Sequence, residues 1–170
     1  MNENIFCLRN VENNDHNWLV SLHNDPDVLY NMTNPMPITI ESHMKWWDTI
    51  DGKKQIRKVF CVNGERVGFA KFYNIDKVNK NCVLGGDIEK THRGKGYAKH
   101  MWKLMLDFCY NDLDMFRVGL TTAEYNKIGK KVYSKLGFIE EGKLVKSLLR
   151  DNTYYDQICM YHLKDWFKNE

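Results

Sequence analysis

The residues with the clearest chemical potential lie in the stretch 88–98, where a strand-like run ends and a long amphipathic pattern begins. Gly94 and Gly96 can adopt backbone conformations that a β-carbon disfavours, so successive N–H groups can converge on one anion. The helix predicted to follow presents its positive N-terminal end to the same point, and Arg93 and Lys95 add full charges. The stretch therefore predicts a phosphate-binding loop, although glycines alone also occur in ordinary turns.

The spacing of this loop excludes two common nucleotide-binding motifs, since it contains neither G-x-G-x-x-G nor G-x-x-x-x-G-K-[ST]. Read as Arg93-x-x-Gly96-x-Ala98 between a strand and a helix, the loop resembles the coenzyme A pyrophosphate loop of the GNAT superfamily of N-acetyltransferases. The pattern of that superfamily is Q/R-x-x-G-x-G/A, and each of its specified positions is matched here.

A second stretch supports the resemblance. The run Asn126-x6-Tyr133-x3-Gly137-Phe138 is similar to the N…Y-x-x-x-G-F segment of the same superfamily. The two motifs lie about thirty residues apart, as an intervening helix and strand require. The resemblance covers nearly the whole chain and implies a single domain over residues 1–170.

The resemblance implies acetyl-CoA as the cosubstrate. It assigns the pyrophosphate to the loop and a pantetheine or nucleotide-side contact to Asn126, and Lys130 is close enough in sequence to reach a phosphate. The predicted contacts to the coenzyme are Ile88, Arg93, Gly94, Lys95, Gly96, Tyr97, Ala98, Asn126 and Lys130.

Amide formation from a thioester and an amine needs a neutral amine, a polarised carbonyl and a proton for the departing thiolate. The resemblance assigns the proton donor to Tyr133, for which a buried structural tyrosine is the alternative. An alkylamine has a pKa of about 10, so a base or a water relay must remove a proton at neutral pH. Asp87 and Glu89 are the nearest carboxylates, and Glu41 is a third, although solvated or paired acids explain any of them equally well. The backbone N–H that polarises the carbonyl would lie between Asp87 and Glu89.

The elements that must position these residues begin with one strand and three short helices. Apolar residues at 5–8 indicate a strand, and those at 18–22 a helix. Pro26 suits the first turn of a second helix, and Thr39 suits the N-cap of a third.

The third helix carries His43, Trp46 and Trp47 on one face. Aromatic stripes at this spacing usually belong to the core, which favours burial of the two tryptophans, although the pair could also wall a substrate pocket. Glu41, His43 and Trp46 are the candidate contacts to the substrate, with a structural or rim histidine as the other interpretation of His43.

The middle of the chain predicts an antiparallel meander. Residues 58–62 and 65–73 form two strand patterns joined by an Asn-Gly turn at 63–64, and 82–88 is a third strand. The glycines at 85–86 inside that strand indicate either a bulge or a close approach by another group.

Periodicity then predicts a helix over 97–111, a strand over 116–121, a helix from 126 to Gly137 and two closing strands. The strand over 116–121 is predicted to pair in parallel with the strand over 82–88, which enters the loop, because the helix over 97–111 connects them. The fold class is therefore α/β, a mixed α+β sheet. The GNAT resemblance implies a mostly antiparallel sheet with one parallel pair splayed at the cofactor site and helices on its flanks.

Composition sets broad limits on function. The chain has 43% hydrophobic and 28% charged residues, which are typical of a globular domain, and no run long enough to cross a bilayer. Its net charge of +3 does not support nucleic-acid binding. The five cysteines lack disulfide or zinc spacing, so no metal is expected. Without a secretory-type leader, the cytoplasm is the expected location.

The substrate is predicted to be a small-molecule amine. Residues 138–160 resemble the GNAT subgroup of ribosomal-protein N-terminal, spermidine and nucleotide-amino-sugar acetyltransferases, and the stretch 24–46 favours the amino-sugar members of pseudaminic-acid-type pathways. The prediction is transfer to the amino group of a nucleotide-linked (dTDP or UDP) amino sugar. The usual W-R-N run is Leu22-His23-Asn24 here, so a contact from that Arg is absent.

Two alternatives remain open. The same chemistry could serve a protein N-terminus or a polyamine, for which Asp25, Asp27 and Glu41 offer only a few acids. A non-catalytic acyl-CoA-binding regulatory module is the alternative of another class, and the presence of Tyr133 counts against it. No membrane or nucleic-acid partner is predicted, and a homodimer is among the assemblies that the sequence allows.

Overall fold

A computed structural model describes residues 3–167 and contains one seven-stranded sheet in the order β1-β2-β3-β4-β5-β7-β6. The strands are β1 Phe6–Asn10, β2 Ile56–Val62, β3 Glu65–Asp76, β4 Asn81–Ile88, β5 Arg117–Ala123, β6 Ile139–Arg150 and β7 Thr153–Leu163. The helices are α1 His16–His23, α2 Pro26–Asn31, α3 Ile40–Trp47, α4 Tyr97–Asp107 and α5 Lys127–Lys135. The predicted element order and the mixed sheet are confirmed.

Strands β2 to β4 form the predicted antiparallel meander, and β1 pairs antiparallel with β2 on its other side. Asn63 and Gly64 both have positive φ, 52° and 83°, as a tight hairpin turn requires. The pairing of β3 with β4 is regular from Gly68↔Ile88 to Tyr73↔Val83, so the glycines at 85–86 do not form a bulge. These glycines instead allow another part of the protein to lie close to the strand.

Gly86 shows that close approach. A Cβ there would lie 2.7 Å from Met101 Cε on α4, so glycine lets this helix lie against the strand. Met101, Met105 and Leu106 are at most 1% exposed and hold α4 on the sheet by apolar packing. A π-helical turn, Phe108–Asp112, continues the helix to the end of the predicted range.

The parallel pair is short. Only three residue pairs join β4 to β5, the last of them Val83↔Gly119, although β4 continues to Ile88 and β5 to Ala123. Beyond that point the two strands separate, and a cleft opens through the sheet between them. This splay is the one that the family resemblance implies.

Helices α1 to α3 cover the opposite face of the sheet from α4 and α5. Trp18, Leu19 and Leu22 of α1 pack on Val59 and Phe69. The predicted start signals are present, with Pro26 at the first turn of α2 and the Thr39 hydroxyl accepting from the Ser42 N–H.

The C-terminal hairpin inserts β7 between β5 and β6. Gly137 ends α5 with φ of 92°, as predicted. The cysteines are free thiols, and two of them, Cys82 and Cys109, bring their sulfurs within 3.5 Å in the core. Within the described residues, no helix has the length and apolar character needed to span a membrane.

Candidate active site

The cleft between β4 and β5 contains a cavity of about 450 Å³. Leu84 to Asp87 form its wall on β4 and Leu120 to Thr122 its wall on β5. Tyr133 lines it from the α4–α5 side, and Lys71 and Tyr73 line it from the α1–α3 side. One cavity therefore connects the two faces of the sheet.

Tyr133 is held on the cleft wall by aromatic packing. Its ring makes edge contacts with Trp102 and Phe138, with centroids 4.6 and 6.1 Å away. Burial raises the pKa of its phenol, and the nearby Asp87 and Tyr73 raise it further. A tyrosine phenol keeps its proton at neutral pH, and this burial does not change that state.

Asp87 lies on the same cleft at the end of β4. Its carboxylate pairs with Lys71 Nζ at 2.6 Å, and the two side chains are only 20% and 22% exposed. Phe69 on β3 packs under α1 and is directly opposite Asp87, and Lys71 is two residues further along the same strand. The side chains of Asp87 and Lys71 therefore both point to the α1–α3 face.

A second cavity, of about 390 Å³, adjoins the first and shares Met32, Lys71 and Asp87 with it. It lies between the sheet and helices α1 and α3, and its wall is mostly apolar, with Trp46 along one side. Asp87 and Lys71 thus stand where the cleft and this second cavity meet.

His43 lines the second cavity but is only 3% exposed. Its Nε2 lies 3.0 Å from Nδ1 of His16, so one ring nitrogen donates to the other. Burial lowers the pKa of His43, and the neighbouring His16 lowers it further. Of the two tryptophans on α3, Trp47 packs on the core, but Trp46 is 38% exposed, so the favoured burial of both is wrong for Trp46. The Trp46 ring lines the second cavity instead of packing in the core.

Two of the candidate carboxylates lie elsewhere. Glu41 is exposed at the first turn of α3 and lines neither cavity. The Glu89 carboxylate lies 3.1 Å from His92 Nδ1, also outside both cavities. The Glu89 N–H donates to the Val67 carbonyl at 2.9 Å, so it is not available as the donor that polarises a substrate carbonyl.

The loop 93–98 has the geometry of an anion site. Gly94 and Gly96 have φ of 77° and 81°, and a Cβ at either would meet nothing within 4 Å, so the loop faces open space. Among the described residues, no backbone or side-chain acceptor takes the N–H groups of 94–98. Tyr97 and Ala98 begin α4, whose N-terminal end adds a favourable field for an anion. These donors fit the pyrophosphate of coenzyme A.

The Arg93 side chain, however, bonds to other groups of the protein. Its guanidinium donates to the Ile88 carbonyl at 2.9 Å, to Asp27 at 2.8 Å and to Asp25 at 3.0 Å. Asp25 caps α2, so these ion pairs connect the loop to the helix on the other side of the cleft. The backbone donors and the exposed Lys95 remain for an anion.

The other predicted coenzyme contacts lie on α5. Asn126 lines the cleft and caps the helix, accepting from the Gly129 N–H at 3.0 Å and donating to the Thr122 hydroxyl at 3.1 Å. Lys130 lies one turn further along and pairs with Glu140 at 3.4 Å.

Sequence reasoning missed three residues of the site: Arg57, Lys71 and Tyr73, which line the cleft from β2 and β3. A signal was present, because Arg57 and Lys71 are two residues from the buried Val59 and Phe69 and so share their faces, in strands that lie inside the sheet. Which strand residues face a cavity depends on the covering helices, and that information is not local.

Comparisons with known proteins identify similar chains and a similar fold. The chain is similar to the spermidine N(1)-acetyltransferase of Escherichia coli (strain K12), with 26% identity over 154 residues, 90% of this chain and 83% of that protein. It is 28% identical to the L-amino acid N-acetyltransferase AaaT of the same strain over 160 residues, 92% of this chain and 97% of that protein. The crystal structure of spermidine N-acetyltransferase from Vibrio cholerae in complex with CoA and spermine has the same fold, with a TM-score of 0.89, 22% identity and coverage of 95% and 97%.

The family match decides the assignment. Residues 6–139 match the acetyltransferase (GNAT) domain, which is well over half of the chain. The splayed strands and the loop of free N–H groups are the features that this chemistry requires. The chain therefore belongs to the GNAT family and is an N-acetyltransferase that uses acetyl-CoA.

Proposed function

We propose that the protein acetylates the primary amino group of a small molecule at the junction of the cleft and the second cavity. The observation that carries this proposal is that one cavity has Tyr133 at one side of the sheet and Asp87 at the other. An amine entering from the α1–α3 side would reach Asp87, and Tyr133 would face a thioester bound in the cleft.

Acetyl-CoA supplies the acetyl group as a thioester, and transfer forms a C–N bond, breaks the C–S bond and leaves a thiol and an amide. The ammonium form of the amine must first lose a proton. Asp87 is the carboxylate in the lining of both cavities and is the proposed acceptor, directly or through water. Lys71 holds the carboxylate in place at 2.6 Å.

Tyr133 is the proposed proton donor to the departing sulfur. Its phenol carries a proton at neutral pH and can donate it, or a hydrogen bond, when a thiolate, which is far more basic than a thioester, develops beside it. Trp102 and Phe138 fix the ring, so little reorganisation is needed when the proton moves.

The proposed coenzyme contacts are the N–H groups of the loop 93–98, Lys95 and the Asn126 side chain. The loop supports this role through open backbone donors rather than through Arg93, whose bonds to Asp25 and Asp27 hold the start of α2. The amine class is a narrower question. The named relatives act on spermidine and on L-amino acids, and the nucleotide-linked amino sugar stays a prediction for which the comparisons offer no relative.

A thiol-release assay with acetyl-CoA tests the proposal. The amines are spermidine, L-amino acids, a dTDP- or UDP-linked amino sugar and a short peptide with a free N-terminus. Tyr133→Phe removes only the phenolic oxygen, and we expect kcat to fall about 100-fold with little change in the KM for acetyl-CoA. Tyr154→Phe, at an exposed position on β7, is the matched control.

The outcomes separate the two classes of function. Turnover that depends on Tyr133 supports the enzyme assignment and names the amine class. If coenzyme A binds but none of the amines is acetylated, the non-catalytic acyl-CoA-binding alternative replaces the proposal.

A further inference from the structure

The charges that line the two cavities do not balance. Asp87 is the one carboxylate in their lining among the described residues, and it is already paired with Lys71. Arg57 adds a second full positive charge on the same face. An amine enters such a site as an ammonium ion, so a cationic cavity opposes its entry unless the substrate also brings a negative charge.

Arg57 is the uncompensated charge. Its Nη1 donates to the carbonyls of Ile56 and Phe72 at 3.0 and 2.8 Å, and its Nη2 donates to Gln55 Oε1 at 2.8 Å. Its Nε–H is buried without an acceptor, and within residues 3–167 no carboxylate pairs with it. Trp46 lies 5.5 Å from the guanidinium and gives it a cation–π contact only.

These contacts fix the guanidinium without neutralising it. The carbonyl and amide oxygens that accept from its Nη1 and Nη2 carry no net charge, whereas a guanidinium removed from water is ordinarily paired with an anion. Burial lowers the pKa of Arg57, in keeping with a charge that lacks a partner. The missing partner has room in the cleft that this side chain lines.

The sheet register sets where that partner would lie. Arg57 is directly opposite Lys71, and Lys71 is opposite Gly85 on β4, so the three form one row across the sheet. With strands about 4.8 Å apart, Arg57 begins about 10 Å from the β4 backbone. Asp87, the proposed proton acceptor, is two residues beyond Gly85. An anion near Arg57 is therefore separated from the reacting amino group by several bonds.

We propose that the acceptor amine carries an anionic group, a carboxylate or a phosphate, several bonds from its amino group, and that Arg57 recognises this group. The inference rests on the proposed function and narrows its substrate class. It disfavours a polyamine, because Asp25 and Asp27 are engaged by Arg93 and Glu41 lies outside both cavities.

Matched amines test the inference. The pairs are 6-aminohexanoate with pentylamine, which lacks only the carboxylate, and glucosamine 6-phosphate with glucosamine. Spermidine represents polycations. The readout is kcat/KM from thiol release at low and at high salt. We expect kcat/KM for the member of at least one pair that carries the anionic group to exceed that of its partner without this group about tenfold, and the ratio to shrink as salt screens the charges. The pair with the larger ratio tells a carboxylate from a phosphate.

Variants assign the preference to Arg57. Arg57→Gln should bring the ratio close to one through a higher KM for the anionic amine, and Arg57→Lys should restore part of it. Lys58→Gln removes an equal charge from the same strand, where the side chain reaches Asn10 instead of the cavities, and should keep the ratio.

Each result supports or overturns the inference about the anionic group. If the wild type turns over the amines without an anionic group, or spermidine, as well as or better than the amines that carry one, the inference is overturned and the proposed function still stands. Turnover of none of the amines, including those of the wider panel, overturns both. If Arg57→Gln keeps the preference for amines with an anionic group, the inference is also overturned. If circular dichroism shows that this variant does not fold, the wild-type ratios and their salt dependence test the inference instead.

Discussion

The two halves of the site differ in how they are built. The proposed coenzyme half consists of the loop 93–98, α4 and Tyr133, and its anion donors are consecutive backbone N–H groups. The proposed amine half consists of Arg57, Lys71 and Asp87 beneath helices α1 to α3, and its chemistry belongs to side chains from distant segments. Under this proposal, local backbone geometry specifies the transferred group, whereas long-range packing specifies the acceptor.

The halves also differ in what holds them together. Helix α4 is held by fully buried apolar residues. On the amine side, the segment that leads into α1 is held by Asp15, which is fully buried and lies 2.6 Å from Arg9 and 3.5 Å from Arg66. Only Arg93 connects the two halves directly among the ion pairs described, through Asp25 and Asp27. We therefore expect the amine half to respond to charge and pH more than the coenzyme half.

The strongest test of this division is Asp87→Asn. Loss of the carboxylate removes the proposed proton acceptor and leaves Lys71 without its partner, so kcat should fall about 100-fold while the Kd for coenzyme A stays within about twofold. Initial rates by thiol release and calorimetric titration with coenzyme A measure the two effects. Glu89→Gln is the comparison, since Glu89 is two residues away but bound to His92. Equal losses in the two variants would contradict the choice of Asp87.

A second test uses the buried charge under α1. The hydrogen bond from Arg9 holds the pKa of Asp15 below its usual range, although burial opposes this, and the Glu12 N–H adds to the lowering. A carboxyl group of this kind stabilises the fold above its unfolded pKa of about 4, and that stabilisation is lost as the pH falls through the lower folded value.

Asp15→Asn should therefore lower the free energy of unfolding by about 2 kcal/mol at pH 7. The difference from the wild type should narrow below a pH of about 4. Urea unfolding at pH 7 and pH 3 measures both. Asp48→Asn, at the exposed end of α3, serves as the control. A gap of the same size at both pH values would refute the electrostatic explanation.

The smallest expected effect concerns the coenzyme half. Gly96→Ala forces a β-carbon onto a residue with φ of 81° at the start of α4, so we expect a stability loss of about 1 kcal/mol and about tenfold weaker binding of coenzyme A. Gly52→Ala imposes a similar strain at φ of 66°, away from both cavities. It should reproduce the stability loss but not the binding loss, as calorimetry and thermal unfolding can show. Equal binding losses would mean that strain alone, and not the loop, weakens the coenzyme contact.

Much of the fold follows from local signals. Pro26, Thr39, the Asn63-Gly64 turn and Gly137 each mark an element boundary through a backbone preference that acts within a few residues. The parallel pairing of β4 with β5 follows from the helix between them. The Trp46 side chain was harder to predict, because helical spacing gives the face of α3 but not whether a cavity lies beneath it.

By itself, the sequence determined the loop, the helix that follows it, the Tyr133 motif and hence acetyl transfer from coenzyme A. These features depend on residues close together in the chain, where conformational preference decides the geometry. The tertiary structure alone decided that Asp87 rather than Glu89 faces the cleft, that Arg93 bonds α2, and that Arg57 and Lys71 leave the amine cavity positive. Strand register and helix packing join segments that are far apart in the chain, as Arg93 and Asp25 are with a separation of 68 residues, and no local preference encodes which charges they bring together.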